Sequence, residues 1–160
     1  MKITISIGVL LIIMIQSSTA QKLNTEEYRF LMDIPDGFKF TTSEEGKFGI
    51  MEGYEAESKT YLYALAYRGE ASKSEIYDYG VQMTEIPKSN WTTKEKGQNE
   101  NGFAWWEVYN ATDGSSNVYA IISKNAKAEV YYMFLVLAPK SSFNKYKGDY
   151  LKWIESCRGV

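Results

Sequence analysis

Histidine is absent from the 160-residue sequence and cysteine occurs once, which excludes several kinds of catalytic and metal site. Without histidine the chain has neither a Ser–His nor a Cys–His catalytic pair, and it has no imidazole ligand for a metal. The single cysteine, Cys157, cannot form a disulfide within the chain or hold an iron–sulfur cluster. Only Arg158 stands beside it as a charge that would activate a thiol. We therefore interpret Cys157 as a small buried residue of the last helix rather than a reactive or intermolecular thiol.

An excess of basic charge is also missing. Lysine and arginine number 18 against 20 acidic residues, for a formal net charge of −2. Proteins that bind nucleic acid usually carry a basic excess, so nucleic acid is not expected as a partner. Hydrophobic residues make up 44% of the chain and aromatic residues 15%, which argues against disorder and for a packed domain.

The N-terminal segment has the order of a secretory signal. Lys2 precedes an apolar run over residues 3–15, and Ser18 and Ala20 occupy the −3 and −1 positions of a cleavage site. As a helix this run would be about 20 Å long, short of the roughly 30 Å hydrocarbon core of a bilayer. We therefore predict a signal peptide over residues 1–20, a single globular domain over 21–160, and no transmembrane segment after cleavage. The expected location is the periplasm or the extracellular space.

Two helical patterns interrupt a series of strand patterns. Ser72 and Glu75 have the spacing of a capping box, and the helix they begin would pack Ile76, Tyr79, Met83 and Ile86 on one face until Pro87 ends it. Apolar alternation or continuous apolar runs predict strands at residues 28–34, 38–40, 48–56, 59–68, 91–98, 103–110, 117–124 and 129–138.

The C-terminal part of the sequence indicates how the layers are arranged. Residues 129–138 are apolar on both strand faces, which is typical of a central strand covered on both sides. A helical stripe follows, with Ser142 as the expected N-cap. It consists of Phe143, Tyr146, Tyr150 and Ile154. The predicted fold class is α+β: a mostly antiparallel sheet with helices on both faces.

Few residues have the spacing of a catalytic or metal site. Acidic residues occur close together at 44–45 and at 55 and 57, but carboxylates on strands and turns are usually solvated. Asp113, Ser115 and Asn117 have the first spacings of a calcium loop, which fails at Val118 and Lys124, so we interpret them as a hairpin turn. The sequons at Asn90 and Asn110 indicate glycosylation only in a secreted eukaryotic protein, so we do not predict glycans from them. No catalytic residue, metal ligand or cofactor is expected.

Aromatic residues are the remaining candidates for a binding surface. Tyr61, Tyr63 and Tyr67 fall on one face of a predicted strand, while Trp105 and Trp106 are adjacent and must point to opposite faces. Tyrosine and tryptophan offer large contact areas with a polar edge, which suits a partner protein or ligand. The alternative interpretation is that they form an outer layer of the core.

The order of these elements resembles the Mog1/PsbP-like fold family. The resemblance rests on a strand ending in the sequence IPDGF at residues 34–38, a long strand before a capped helix, a tryptophan-rich strand at 103–109, an apolar strand at 130–137 and the closing sequence WIESCR at 153–158. It implies a sheet sandwiched by helices and no shared catalytic residues. Family members are accessory or adaptor proteins that bind different partners through different surfaces, so no site residue is implied.

Three functions remain open from the sequence. The first is a non-catalytic exported binding or accessory protein of the bacterial envelope, with an unknown protein or small molecule as its partner. The second is a carrier of a small apolar ligand, held in a pocket between a curved sheet and a helix. The third, least favoured, is a carboxylate-dependent hydrolase, which needs two acidic residues converging in a cleft.

Overall fold

The structure is a computed structural model that describes residues 21–25, 28–45 and 49–160, so the predicted signal peptide lies outside the described residues. Within these ranges the chain has ten strands, two α-helices and a short 3-10 helix at Lys88–Asn90. The strands are β1 (Gln21–Thr25), β2 (Phe30–Ile34), β3 (Phe38–Glu45), β4 (Gly49–Ala56), β5 (Thr60–Arg68), β6 (Trp91–Glu100), β7 (Phe103–Thr112), β8 (Ser116–Asn125), β9 (Val130–Pro139) and β10 (Arg158–Gly159). The helices are α1 (Lys73–Thr84) and α2 (Lys140–Ser156).

The strands of the described residues form one large and one small sheet. Seven strands pair in the order β3-β4-β5-β9-β8-β7-β6, and all of these pairs are antiparallel. β9 is the fourth strand of the seven, which confirms the central position expected from its apolar sequence. β1, β2 and β10 form the second, three-stranded sheet.

Alternate residues of the central strand contribute to two separate cores. Tyr132, Phe134 and Val136 pack with buried residues of α2, whereas Met133 and Leu135 pack with apolar residues of α1. We call these two sides of the large sheet the α2 face and the α1 face. The predicted sheet with helices on both faces is therefore confirmed.

The closing helix packs as its apolar stripe predicts. Phe143, Tyr150 and Ile154 are buried, Tyr146 packs against the same core, and α2 contacts β2, β8 and β9. The expectation that Ser142 caps this helix is wrong. The helix begins at Lys140 directly after Pro139, and the Ser142 hydroxyl instead donates to the carbonyl of Ser58 at 3.1 Å.

The first helix begins as predicted but is rotated about its axis relative to our expectation. The Ser72 hydroxyl accepts from the backbone of Glu75, whose carboxylate accepts from the backbone of Ser72, so the capping box is present. The prediction that Tyr79 packs inward is wrong, because its side chain is 46% exposed. Gly80 is the buried residue of α1, and a Cβ there would lie 2.6 Å from the Met133 sulfur. Because α1 contacts the sheet at Gly80, the neighbouring Tyr79 side chain points away from the core.

Several strand limits differ from the sequence prediction. The first predicted strand begins at Phe30 rather than Tyr28, and β1 and β10, which pair with it, were not predicted. β3 continues through Glu45, five residues beyond the predicted limit of this strand at residue 40. The predicted start of the next strand, Phe48, lies outside the described residues. In the described part of the chain, neither helix has the length and apolar character needed to cross a membrane.

Candidate functional site

The strand β5 is covered on one face and partly open on the other. On the α2 face, Leu62, Ala64 and Ala66 are at most 2% exposed. On the α1 face, the residues between them are only half-buried. The cause is the placement of α1, which packs mainly on β8 and β9 and leaves β3, β4 and β5 largely uncovered on its side.

The half-buried residues of β5 include the three predicted tyrosines, Tyr61, Tyr63 and Tyr67, which we call the tyrosine strip. The rings of Tyr61 and Tyr63 stack with centroids 6.3 Å apart. Tyr63 lies across from Gly53 of β4, where a Cβ would come within 3.2 Å of the tyrosine ring. Glycine at this position therefore allows the aromatic ring to lie close to the neighbouring strand.

A carboxylate lies at one end of the strip. Glu55 of β4 is paired in register with Tyr61. The negative charge of Glu55 and its hydrogen bond with the tyrosine hydroxyl both raise the pKa of Tyr61. Both effects favour the protonated tyrosine, whose hydroxyl donates to the carboxylate.

A groove of about 460 Å³ lies at the other end of the strip, between α1 and strands β4, β5 and β9. It is partly open to solvent. Its apolar lining is formed mainly by Met51, Leu65, Tyr67, Ile76, Tyr131 and Met133. The exposed ring of Tyr79 stands at its rim. We call this site the α1 groove.

The charged residues that line the α1 groove are all acidic in the described part of the chain: Glu44, Glu70 and Glu75. Glu75 belongs to the capping box, and hydrogen bonds from the backbone and side chain of Ser72 lower its pKa. Glu44 and Glu70 are exposed and form no ion pair with any described residue. The groove therefore combines an apolar lining with a negative rim.

The two predicted tryptophans occupy opposite faces of the sheet. Trp105 lies on the α1 face. The centroid of its ring lies 6.3 Å from the ring centroid of Tyr131 and 5.7 Å from the ammonium group of Lys73. Tyr131 is paired in register with Tyr67, so it connects Trp105 to the strip. Trp106 packs with the core of the α2 face. The structure thus brings the tyrosine strip and Trp105 to one face and places Trp106 on the other.

An ionic cluster fixes the start of α1 beside these aromatic residues. The Lys73 ammonium lies 2.6 Å from the Glu107 carboxylate, which also accepts from the hydroxyl of Tyr109. Burial by itself would raise the pKa of Glu107, but the hydrogen bonds from Lys73 and Tyr109 outweigh it and hold the pKa below its usual range. Burial and Glu107 together raise the pKa of Tyr109. The lowered pKa favours the ionised form of Glu107 and the raised pKa favours the protonated form of Tyr109, which suits a structural role.

Other polar clusters of the described residues have structural explanations. The Asp113 carboxylate accepts from the backbone N–H groups of Ser115 and Ser116 at 2.8 and 2.7 Å, so the calcium-like spacing is a hairpin turn. Within the described ranges, no three potential metal ligands come together. A second, more open depression of about 800 Å³ between α2 and the turn after β2 is lined by charges of both signs, including Asp36, Lys39 and Lys152.

Sequence reasoning missed most of the α1 groove. The apolar pattern of residues 129–138 predicts only that Tyr131 belongs to the core, and the helical spacing of Tyr79 predicts that it faces inward. Met51, Glu44 and Glu70 carried no pattern that linked them. The one available signal was Gly80 inside a helical pattern, since a glycine there often marks a close approach of helix and sheet.

Comparison with known proteins identifies the fold. No family model and no curated protein sequence matches the chain. The solution structure of cyanobacterial PsbP (CyanoP) from Synechocystis sp. PCC 6803 is similar with a TM-score of 0.60 and 10% identity, over 88% of this chain and 92% of that one. The Ran-binding protein Mog1p of Saccharomyces cerevisiae is similar with a TM-score of 0.53 and 9% identity, over 88% of this chain and 95% of that one. Such low identity establishes architecture alone, and by that architecture the chain has the Mog1/PsbP-like fold.

Proposed function

We propose that this chain is a non-catalytic accessory protein of the bacterial envelope that binds a partner protein through its α1 face. The observation that carries the proposal is the uncovered half of that face, where the tyrosine strip runs into the α1 groove. Tyrosine side chains are enriched in protein interfaces because they bury a large area at little cost in conformational entropy.

The extent of the surface favours a protein over a small molecule. Tyr67 lies six positions after Tyr61, which corresponds to about 20 Å along a strand. The groove lies at one end of this length, so a ligand confined to it would leave Tyr61 and Tyr63 without contact. A pocket for a small molecule usually encloses most of its ligand, whereas the α1 groove is partly open to solvent.

A carrier of a small apolar ligand is the second candidate. Its support is the volume of the groove, about 460 Å³, which falls within the roughly 300–1,000 Å³ typical of small-molecule sites. The site also lies between a helix and the sheet, as that hypothesis requires.

The non-catalytic part of the proposal rests on the chemistry of the site. Glu75 forms part of the helix cap, and the Glu107 carboxylate binds Lys73 and accepts from the hydroxyl of Tyr109. The chain offers no histidine as a general base. The yeast structure of the same fold is described as a Ran-binding protein, so a binding role on this fold has a precedent by analogy.

Export is the remaining part of the proposal, and its support is the sequence of residues 1–20. Cleavage after Ala20 would leave Gln21 as the first residue. N-terminal sequencing of the protein recovered outside the cytoplasm tests this directly, and Met1 retained in a membrane fraction would contradict it.

Site-specific photo-crosslinking tests the binding surface. A photoreactive phenylalanine analogue is placed at Tyr79, at the groove rim, or at Tyr63, in the strip. The matched control is Phe40, which is 51% exposed and faces the opposite side of the sheet, where its ring contacts Tyr54. We expect one protein to crosslink at Tyr79 and Tyr63 but not at Phe40. Crosslinks at Phe40 alone would contradict the proposed surface, and a bound lipid or metabolite would support the carrier.

A further inference from the structure

We propose that the part of the partner that occupies the α1 groove is a basic, apolar peptide segment, with lysine or arginine side chains directed at Glu44 and Glu70. This inference rests on the proposed function, since it names the chemistry of the segment that the α1 face binds. It follows from the lining of the groove, from its charge, and from the way nearby lysines are already paired.

The lining of the groove requires apolar side chains in the occupant. Leu65 and Met133 form part of its floor, and the rings of Tyr67, Tyr79 and Tyr131 surround it. Tyr79 leaves nearly half of its surface in water, at 46% exposure. An occupant with leucine, methionine or aromatic side chains would remove this apolar surface from water, which is favourable in proportion to the area buried.

The rim of the groove selects the charge of the occupant. Glu44 and Glu70 are exposed carboxylates with no ion-pair partner among the described residues. Glu75 adds a third negative charge, although its Oε2 atom already accepts hydrogen bonds from the backbone N–H and the hydroxyl of Ser72. Exposed carboxylates around an apolar groove attract cationic groups and repel acidic ones.

Two described lysines beside the aromatic residues of the α1 face already have acidic partners. Lys73 lies 2.6 Å from Glu107, and Lys124 lies 2.9 Å from Glu129. Both lysines are therefore neutralised locally by partners outside the groove lining. Their ammonium groups also lie over the rings of Trp105 and Tyr131, at 5.7 and 5.4 Å from the centroids. The net charge presented by the described part of the groove is thus negative.

The test compares three fluorescently labelled peptides of equal length, measured by anisotropy against the purified protein at low and at physiological salt. The first alternates leucine with lysine, the second leucine with glutamate, and the third serine with lysine. We expect measurable binding of the leucine–lysine peptide alone, weakened by added salt because exposed charges are screened. Binding of the leucine–glutamate peptide with equal affinity would overturn the inference, as would no binding of the leucine–lysine peptide.

Variants of the protein locate the peptide. The double change Glu44→Gln and Glu70→Gln should weaken the leucine–lysine peptide by about 5-fold or more and reduce its salt dependence, since each rim charge contributes modestly. Tyr79→Ser should also weaken it. The matched controls are Glu155→Gln and Phe40→Ser, which alter an exposed acid and an exposed aromatic residue away from the groove. An equal loss of affinity in the controls, or none in the groove variants, would refute the proposed site.

The crosslinking experiment separates failure of this inference from failure of the proposed function. A partner segment crosslinked at Tyr79 whose sequence is acidic or lacks basic residues would refute the inference and leave the binding function standing. Absence of any protein crosslink at Tyr79 and Tyr63 would remove the proposed function, and the inference with it.

Discussion

The indole ring of Trp106 occupies the space that a side chain at Gly97 would need. The two residues are paired in register across β6 and β7, and a Cβ at Gly97 would lie 2.5 Å from two ring carbons of Trp106. Glycine weakens a strand because it offers no side chain to pack, and a cross-strand aromatic ring restores that contact. Trp106 therefore packs over Gly97 of the edge strand β6 on the α2 face of the sheet.

We expect Gly97→Ala to lower the free energy of unfolding by about 1–3 kcal/mol, because the added methyl group must displace the ring. The control is Gly148→Ala in α2, where a Cβ would have no neighbour within 4 Å. That change should stabilise the protein by about 0.5–1 kcal/mol, since alanine favours a helix over glycine. Urea unfolding of both variants checks the pair, and equal effects would show that the ring is free to move.

The stripe of α2 should carry much of the stability of the domain. Ile154 is 5% exposed and packs in the core of the α2 face. Ile154→Ala should therefore cost about 2–5 kcal/mol. Lys152→Ala is the control, because the side chain of Lys152 is 80% exposed. Deleting residues from Phe143 onward should abolish cooperative thermal unfolding, and a truncated chain that still melts near the parent temperature would show that α2 is peripheral.

The buried hydroxyl of Tyr132 should make the protein sensitive to alkali. It accepts from the Asn125 amide at 2.9 Å and donates to the backbone carbonyls of Tyr28 and Arg29. Burial raises the pKa of Tyr132 from 10.0 to about 12, although the hydrogen bond from Asn125 opposes this. The unfolded chain releases this proton at lower pH than the folded protein does. The stabilisation is complete below about pH 10 and is lost as pH rises toward about 12.

The pH dependence can be measured as the free energy of unfolding between pH 8 and 12 for the wild type and Tyr132→Phe. A shift of about two pKa units corresponds to a loss of about 2–3 kcal/mol from this residue. The variant should start lower, because the partners of the hydroxyl are left unpaired, and then decline less steeply. Parallel profiles would contradict the assignment to Tyr132.

Cys157 should behave as a structural residue. It is 2% exposed, and its thiol donates weakly to the carbonyl of Trp153 at 3.5 Å. Burial raises the pKa of Cys157 well above its usual range. We expect a thiol reagent to label the native protein far more slowly than the denatured protein, and Cys157→Ala to cost about 1–2 kcal/mol. Rapid labelling under native conditions would contradict burial.

The sequence predicted a helix or strand correctly wherever the repeat of polar and apolar residues matched only one of these elements. Residues 129–138, apolar on both strand faces, predicted a strand in the middle of the sheet, because only there are both faces covered. The spacing of Phe143, Tyr150 and Ile154 predicted a helix that packs on that sheet. The Ser72–Glu75 spacing predicted the start of α1, since a capping box depends on residues three positions apart.

The prediction was wrong or incomplete where distant contacts decide the outcome. Tyr79 has the spacing of a buried residue, but the close approach of Gly80 to Met133 rotates the helix and leaves its ring in water. Ser142 has the chemistry of an N-cap, but Pro139 starts the helix earlier. β10 has only two residues and no pattern of its own, and its pairing with β2 fixes it.

The sequence by itself therefore determined the class of fold, the central strand, the two helices and the placement of Trp105 and Trp106 on opposite faces. These features depend on periods of two or 3.6 residues, which are local to each segment. Only the tertiary structure decided that α1 covers β8 and β9 and leaves the tyrosine strip open, and that Glu44, Glu70 and Tyr79 meet at one groove. That arrangement depends on how a helix is placed across strands far apart in the chain, and no local period records it.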